Sequence, residues 1–513
     1  MNKTIHAFLL FILSVTLIHI SCERDTDPPT VSILSYSDQS QVWNTVKISV
    51  EVADNEGVSK VVFYVNGVET ETIEGPPWEV DWNTRDYPDG ETEIGFVAHD
   101  INGNRSREAS LVLVINNTLV KVSIDEDYFP VSPGYMTKIP IILMAGDSTI
   151  LGSSLMEYGE SQTFTRPADF NDSTFNIAHG RFTSWPGNPD YFDGYLMYFM
   201  DMNPGEMIFE KADLAGQDEI TGYCYFKAGN IGSYEYHHVS YCGYYPYAAG
   251  NIFTDSAKVA INQDLPKAYV YLRQGNEGLY GFYDNLEPRK TYQVNREDLS
   301  NDMQLRTISL PSLPFEQITI QIFAYPNPGD YDPRLMTNIF QDDRETGDFS
   351  PFVFHYPSNE DMIRDFYYWS HVIIDHSKNY FHSKYGPVPG SISMINADII
   401  DYTLVLPRSV EAEITGSADV QFCSLSFNGD LFIDIFGPTG KNLLIPSIPA
   451  AFFEEYNMPE ISYENLTYSR FQLNEYSDQD YRAYAEAACH MNRSNSYSAS
   501  GSEQLGIQFR KSF

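Results

Sequence analysis

Asp54-Asn55-Glu56-Gly57-Val58-Ser59-Lys60-Val61-Val62-Phe63-Tyr64-Val65-Asn66-Gly67 is the stretch that decides the fold. Val61, Phe63 and Val65 alternate with their neighbours, which is the period-2 pattern of a half-buried strand. Asn66-Gly67 then predicts a tight hairpin, because both residues tolerate positive φ. The same alternation recurs on either side. Ile48, Val50 and Val52 precede it; Trp78, Val80 and Trp82 follow, then Ile94, Phe96 and Ala98, then Leu111, Leu113 and Ile115. Short strands spaced this regularly over residues 28–117 predict a β-sandwich.

The stretch 54–67, together with Trp82-Asn83-Thr84 and Ala98-His99-Asp100-Ile101-Asn102-Gly103-Asn104, resembles a bacterial Ig-like domain. The resemblance covers nearly all of residues 28–117 and implies a spacer or accessory module without catalysis of its own. No cysteine pair joins its sheets, so Phe63, Trp78 and Trp82 are expected to carry the core. In such a sandwich the loops 54–57 and 100–104 share one end. Asp54, Asp100, Asn102 and Asn104 are therefore candidate calcium ligands, since calcium takes six to eight oxygens from flexible loops. Plain turn chemistry is the competing explanation for Asn, Asp and Gly at these positions.

Upstream, Lys3 is followed by an apolar run from Ala7 to Ile20 and then Ser21-Cys22. The run is shorter than the ~20 residues of a membrane-spanning helix and has the layout of a secretory signal peptide over residues 1–21. Cysteine directly after a small residue resembles the lipobox of bacterial lipoproteins, which implies lipid on Cys22. Cleavage near Ser21 with an unmodified cysteine is the alternative. Glu23-Arg24-Asp25-Thr26-Asp27 resembles the acidic tag that sends some lipoproteins to the outer cell surface, making residues 22–27 an acidic tether. The expected location is the outer membrane, facing outward, with the membrane as a partner through Cys22. Glu23 to Thr30 spans at most about 30 Å, so the loops at 54–57 and 100–104 are expected to lie on the tethered end.

Seventy acidic against 32 basic residues give a formal charge of −38. Such a field repels nucleic acid, which is excluded as a partner. Abundant tyrosine and phenylalanine, with few long helical patterns, favour further β structure after the Ig-like module. Beyond Cys22 the chain holds Cys224, Cys242, Cys423 and Cys489. In an oxidising compartment these are disulfide candidates, with Cys224–Cys242 closing a short loop and Cys423–Cys489 a second option; buried free thiols are the alternative.

The expected layout of the remainder is a β domain at 118–262, another at 263–350, a helical insertion at 351–390, and a β domain with a C-terminal helix at 391–513. Residues 223–247 hold Tyr223, Tyr225, Tyr234, Tyr236, Tyr241, Tyr244, Tyr245 and Tyr247. Tyr223/Tyr225 and Tyr234/Tyr236 are spaced by two, so each pair shares a strand face. Together they are a candidate sugar-stacking platform, against the simpler expectation of a tyrosine-rich hairpin covering a sandwich. Met362, Phe366, Trp369 and Ile373 at helical spacing after Pro357-Ser358 predict a helix ending at Gly386-Pro387, with His371 and Asp375 on one face and His376 and His382 nearby. A second helix is predicted from Asp478 to Met491.

No His-Glu-x-x-His, Gly-x-Ser-x-Gly, phosphate-binding loop, dinucleotide fingerprint or Cys-x-x-Cys occurs, so no catalytic residue is assigned. The sequence points to a non-catalytic cell-surface lipoprotein that binds extracellular material, with polysaccharide the foremost candidate, or that serves as an accessory or adhesion subunit. The alternative is a secreted hydrolase acting through carboxylates or His371/His376.

Overall fold

The computed structural model describes residues 25–512, except 127, 129–133, 210–219, 244–251, 254–255, 264, 333–334, 359 and 490–502. The segment expected to be a signal peptide, Cys22, and Tyr244, Tyr245 and Tyr247 lie outside the described residues. No helix among the described residues is long and apolar enough to cross a membrane. The chain divides into two compact units, residues 1–120 with 163–171, and residues 121–162 with 172–513.

The first unit is the predicted sandwich. One sheet holds, in order, Gln41–Val42, Ala109–Ile115, Gly90–Asp100, Val58–Val65 and Val68–Ile73; the other holds Thr30–Ile33, Thr45–Ala53 and Glu79–Asn83. Ile48, Phe63, Trp82, Ile94, Phe96 and Leu113 meet between them. Phe63 packs edge-on against Trp82 at 6.1 Å and beside Phe96 at 4.8 Å. Each such buried side chain contributes about 1.5–3 kcal/mol, which replaces the missing inter-sheet disulfide. Trp78 is only half-buried at the margin. Asn66 and Gly67 have φ of 50° and 74°, the hairpin turn the sequence predicts. Residues 163–171 belong to this unit as well. Asn44 Nδ2 donates to the Phe170 carbonyl at 3.1 Å, and buried Arg166 lies over the Trp43 ring at 4.4 Å.

The second unit is built on a 12-stranded sheet. Its order is Ile150–Met156, Met136–Met144, Phe175–Trp185, Asn188–Met202, Leu431–Pro438, Val420–Phe427, Leu466–Tyr476, Glu503–Ser512, Lys378–Tyr385, Asp365–Ile373, Gln317–Tyr325 and Thr337–Glu345. Asn188–Met202 pairs in parallel with Leu431–Pro438, uniting strands far apart in sequence. The sheet thus runs across the positions 262, 350 and 390 at which the sequence alone suggests boundaries. One side of its central part packs against Ala397–Val405, Ser409–Gly416 and the helix Ala450–Tyr456; Tyr402, Val410, Phe452, Ile433, Leu473 and Ile507 share that core.

The far edge of the sheet, Thr337–Glu345, is covered rather than left open. Strand Tyr236–Tyr241 presents alternate residues to it. The Tyr236 hydroxyl donates to the Gln341 carbonyl, while His238 Nε2 and Ser240 Oγ lie 2.9 and 2.6 Å from the Asn338 carbonyl. An open edge strand invites pairing with other chains; here side chains occupy its acceptors.

The helix expected after Pro357-Ser358 is not formed. Residues 352–385 instead make the strands Phe352–Pro357, Asp365–Ile373 and Lys378–Tyr385. Tyr368, Ser370 and Val372 are buried while their neighbours are not, a period of two. The run Phe366-Tyr367-Tyr368-Trp369 has strong strand preference, which outweighs the coincidental helical spacing. His371 and Asp375 therefore share no helix face. Asp375 builds the hairpin turn, its Oδ1 accepting from Ser377 N (2.8 Å), Ser377 Oγ (2.7 Å) and Lys378 N (2.9 Å). The predicted C-terminal helix is present as Tyr481–Cys489, burying Tyr481, Tyr484, Ala485 and Ala488.

The disulfide candidates are also corrected, since all four described cysteines are free and buried. Cys224 and Cys242 belong to different sheets, Cys224 lying on Ile220–Ala228 and Cys242 following Tyr236–Tyr241. Cys423 faces the core beneath the large sheet. Cys489 touches His179 across the opposite face, Sγ to Nε2 at 3.6 Å. The sheet itself keeps Cys423 and Cys489 apart.

Candidate metal centre

The first unit gathers three carboxylates. One oxygen each of Asp25, Asp54 and Asp100 lies within 4.8 Å of the others. Asp54 opens the loop after strand Thr45–Ala53, and Asp100 ends strand Gly90–Asp100. Asp25 comes from the segment ahead of the first strand, so that segment meets these two loops.

Backbone turns fix the carboxylates. Asp54 Oδ1 accepts from Glu56 N (2.9 Å) and Gly57 N (2.8 Å), and Asp100 Oδ1 from Asn102 N (2.9 Å) and Asn104 N (2.7 Å). That is the predicted turn chemistry, but it engages only one oxygen of each. Asp54 Oδ2 and Asp25 Oδ2 are buried without a hydrogen-bond partner among the described residues. Asp100 is buried. Burial by itself raises its carboxyl, yet the side-chain amide of Asn104 and the backbone N–H groups of Asn104, Asn102 and Gly103 outweigh that and hold it below the usual carboxylate range. It stays ionised, and no Lys or Arg pairs with the three acids among the described residues.

Three converging carboxylates, those of Asp25 and Asp54 each with an unsatisfied oxygen, form a hard, oxygen-rich donor set suited to calcium. Two of the predicted ligands play other parts. Asn104 Nδ2 donates to Asp100 Oδ2 (2.7 Å) and to the Asp25 carbonyl (2.9 Å), tying the segment ahead of the first strand to the loop. Asn102 Nδ2 donates to Glu56 Oε2 at 2.8 Å. Sequence reasoning missed Asp25; the acidic run 23–27 was a signal, but one that reads equally as an export tag.

The four tyrosines of the suggested platform are not brought onto one surface. Tyr223, 45% exposed, lies beneath Lys258 at 3.9 Å, and Tyr225 is on the same strand face. Tyr234 packs alongside Phe253 against the core that Cys224 and Phe226 enter from the other side of the Tyr223 strand. Tyr236 is half-buried against Tyr271 and Phe340 at 5.6 and 5.4 Å, with its hydroxyl bound to Gln341. His376 is exposed in the hairpin turn, and His382 is buried against Glu503 Oε1 at 2.7 Å. Burial pushes the Cys489 thiol far up, so its contact with His179 supplies no thiolate.

Residues 29–95 match the family model of the bacterial Ig domain. No curated protein matches the chain. Among solved structures, the fibronectin(III)-like modules of Clostridium thermocellum CbhA are 22% identical over 17% of this chain and 96% of that chain, with a TM-score of 0.14. An endo-beta-1,4-mannanase from Thermotoga petrophila is 22% identical over 19% of this chain, with a TM-score of 0.16, and the match spans 21% of the mannanase chain. A tetra-tandem repeat from the extending region of a large adhesion protein is 9% identical over 87% of this chain and 94% of that chain, with a TM-score of 0.14.

Proposed function

We propose that the protein is a surface-tethered lipoprotein in which the Ig-like module is an accessory spacer, stiffened by calcium where the tether enters, and the larger unit engages extracellular material. The observation that carries this reading is the meeting of Asp25 with Asp54 and Asp100. The residues next to the tether are held by the module's own loops, which is the arrangement a spacer needs at its anchored end. A bacterial Ig domain fits an extracellular or surface protein, and the acidic surface suits neither nucleic acid nor anionic lipid.

Anchoring is tested by Cys22→Ala. Loss of incorporation of a fatty-acid probe and release of the protein into the soluble fraction are expected; unchanged membrane fractionation would sink the lipid anchor. Protease treatment of intact cells reads out whether the protein faces outward.

The calcium site is tested on the purified protein. At a calcium concentration about ten times the dissociation constant, binding to the folded state adds about 1.4 kcal/mol and raises the melting temperature by a few degrees. Asp54→Asn keeps the Oδ1 acceptor for the turn but removes one charge. It is expected to abolish the calcium-dependent rise while melting higher than the parent in chelator, because three unpaired carboxylates repel one another. A rise that persists in this variant would locate calcium elsewhere.

A further inference from the structure

The face of the large sheet turned away from its core holds a hollow of about 190 Å³. Phe471, Leu473 and Ile507 point into the core, so alternation along strands Leu466–Tyr476 and Glu503–Ser512 places Gln472, Asn474, Gln504 and Gln508 on the other face. Register sets them in rungs. Asn379 lies beside Gln508, which lies beside Gln472; one step on, Phe381, Gly506 and Asn474 align, and then Ser383, Gln504 and Tyr476. Gly506 is required at the centre, because a β-carbon there would overlap the Phe381 ring. Trp369 stands opposite Ser383 on one flank, and on the other Tyr476 stacks at 5.4 Å on Tyr484 of the helix Tyr481–Cys489.

The lining chemistry sets this hollow apart from the remaining surface. The chain has 70 carboxylates, yet no Asp or Glu is among the described residues that line it. Its lining includes five side-chain amides, those of Asn379, Gln472, Asn474, Gln504 and Gln508, and each can donate and accept at once. They are pre-arranged: Gln472 Nε2 donates to Asn474 Oδ1 at 2.8 Å, and Arg510 donates to Gln508 Oε1 at 2.9 Å. Arg470 sits 4.8 Å from the Phe422 ring centroid, its Nε buried without a hydrogen-bond partner, and no carboxylate pairs with it among the described residues. Flat aromatic faces next to two-way amides match a sugar ring, which offers a C–H face and hydroxyls that both donate and accept. The hollow is smaller than the ~300–1,000 Å³ typical of a site enclosing a whole drug-sized ligand, so it suits one ring of a longer chain.

We propose that this hollow binds a neutral polysaccharide, one sugar ring lying against Trp369 and Phe381 with its hydroxyls on Gln472, Gln504 and Arg470. The proposal rests on the surface-accessory reading for its access to polymer and deepens it by naming what is bound. Purified full-length protein in detergent is run by affinity electrophoresis through gels containing neutral glucan, mannan, xylan or galactan, with a polyuronate and a sulfated glycan as anionic controls. Retardation by at least one neutral polymer is expected, with the dissociation constant raised at least about tenfold by Trp369→Ala and by Gln504→Ala. Circular dichroism is checked for both variants, and Gln504→Ala decides if the tryptophan variant is misfolded. Retardation by none of the neutral polymers, by the anionic controls alone, or undiminished in the folded variants overturns the proposal. The Cys22 fractionation is independent of this assay, so a failed anchor and a failed sugar site are told apart.

Discussion

Tyr236→Ala is expected to destabilise the larger unit by about 3–5 kcal/mol, the cost of deleting a large aromatic side chain from a packed site. Its ring lies against Tyr271 and Phe340, and Arg273 sits 5.4 Å from its centroid. Its hydroxyl donates to the Gln341 carbonyl and accepts from the Gln341 N–H at 3.2 Å. Truncation therefore opens a cavity and also strips the covering from the edge strand Thr337–Glu345. Tyr223→Ala is the matched control, because Tyr223 is 45% exposed and surface substitutions usually stay within about 0.5 kcal/mol. Urea denaturation of the two variants measures the difference. Equal midpoints for both would show that the Tyr236 contacts carry little stability.

Acidification from pH 7 toward pH 4 is expected to cost about 3 kcal/mol through His238 alone. Burial pulls its pKa from 6.5 down to about 4, and the hydrogen bond to the Asn338 carbonyl only partly offsets that. Below pH 6.5 the unfolded chain takes up a proton that the folded chain refuses. Stability is thus complete above pH 6.5, falls progressively as pH drops to about 4, and levels off below that. Burial also lowers His237, His355, His371 and His382, and each adds to the same slope. Unfolding free energies measured every half unit of pH give the slope. His238→Gln keeps a donor for Asn338 and should reduce the slope by up to one proton. An unaltered slope in that variant would mean that His238 titrates normally.

Both predictions concern a strand whose role the sequence misdirects. Tyr234 and Tyr236 look like partners of Tyr223 and Tyr225 because the spacing of two repeats. Spacing reports which residues share a face, and it does not report what the face meets. Tyr223 meets solvent and Lys258; Tyr236 meets another strand's backbone. The same limit explains the failed helix at 357–386. Met362, Phe366, Trp369 and Ile373 satisfy helical spacing, while the interleaved Phe366, Tyr368 and Val372 satisfy strand spacing. Pairing with Gln317–Tyr325, a segment some 50 residues away, decides between the two.

By itself the sequence determined the N-terminal sandwich, its Asn66-Gly67 turn, its aromatic core, the C-terminal helix and the pairing of loops 54–57 and 100–104. These are local: period-2 alternation, turn residues and capping act over a few positions and leave a direct trace in the order of side chains. Only the tertiary structure decided that Asp25 joins Asp54 and Asp100, that the four cysteines stay apart, and that amides from strands Lys378–Tyr385, Leu466–Tyr476 and Glu503–Ser512 meet around Gly506. Those arrangements depend on which distant strands pair and in which register, and a shift of one residue would turn every side chain involved to the opposite face.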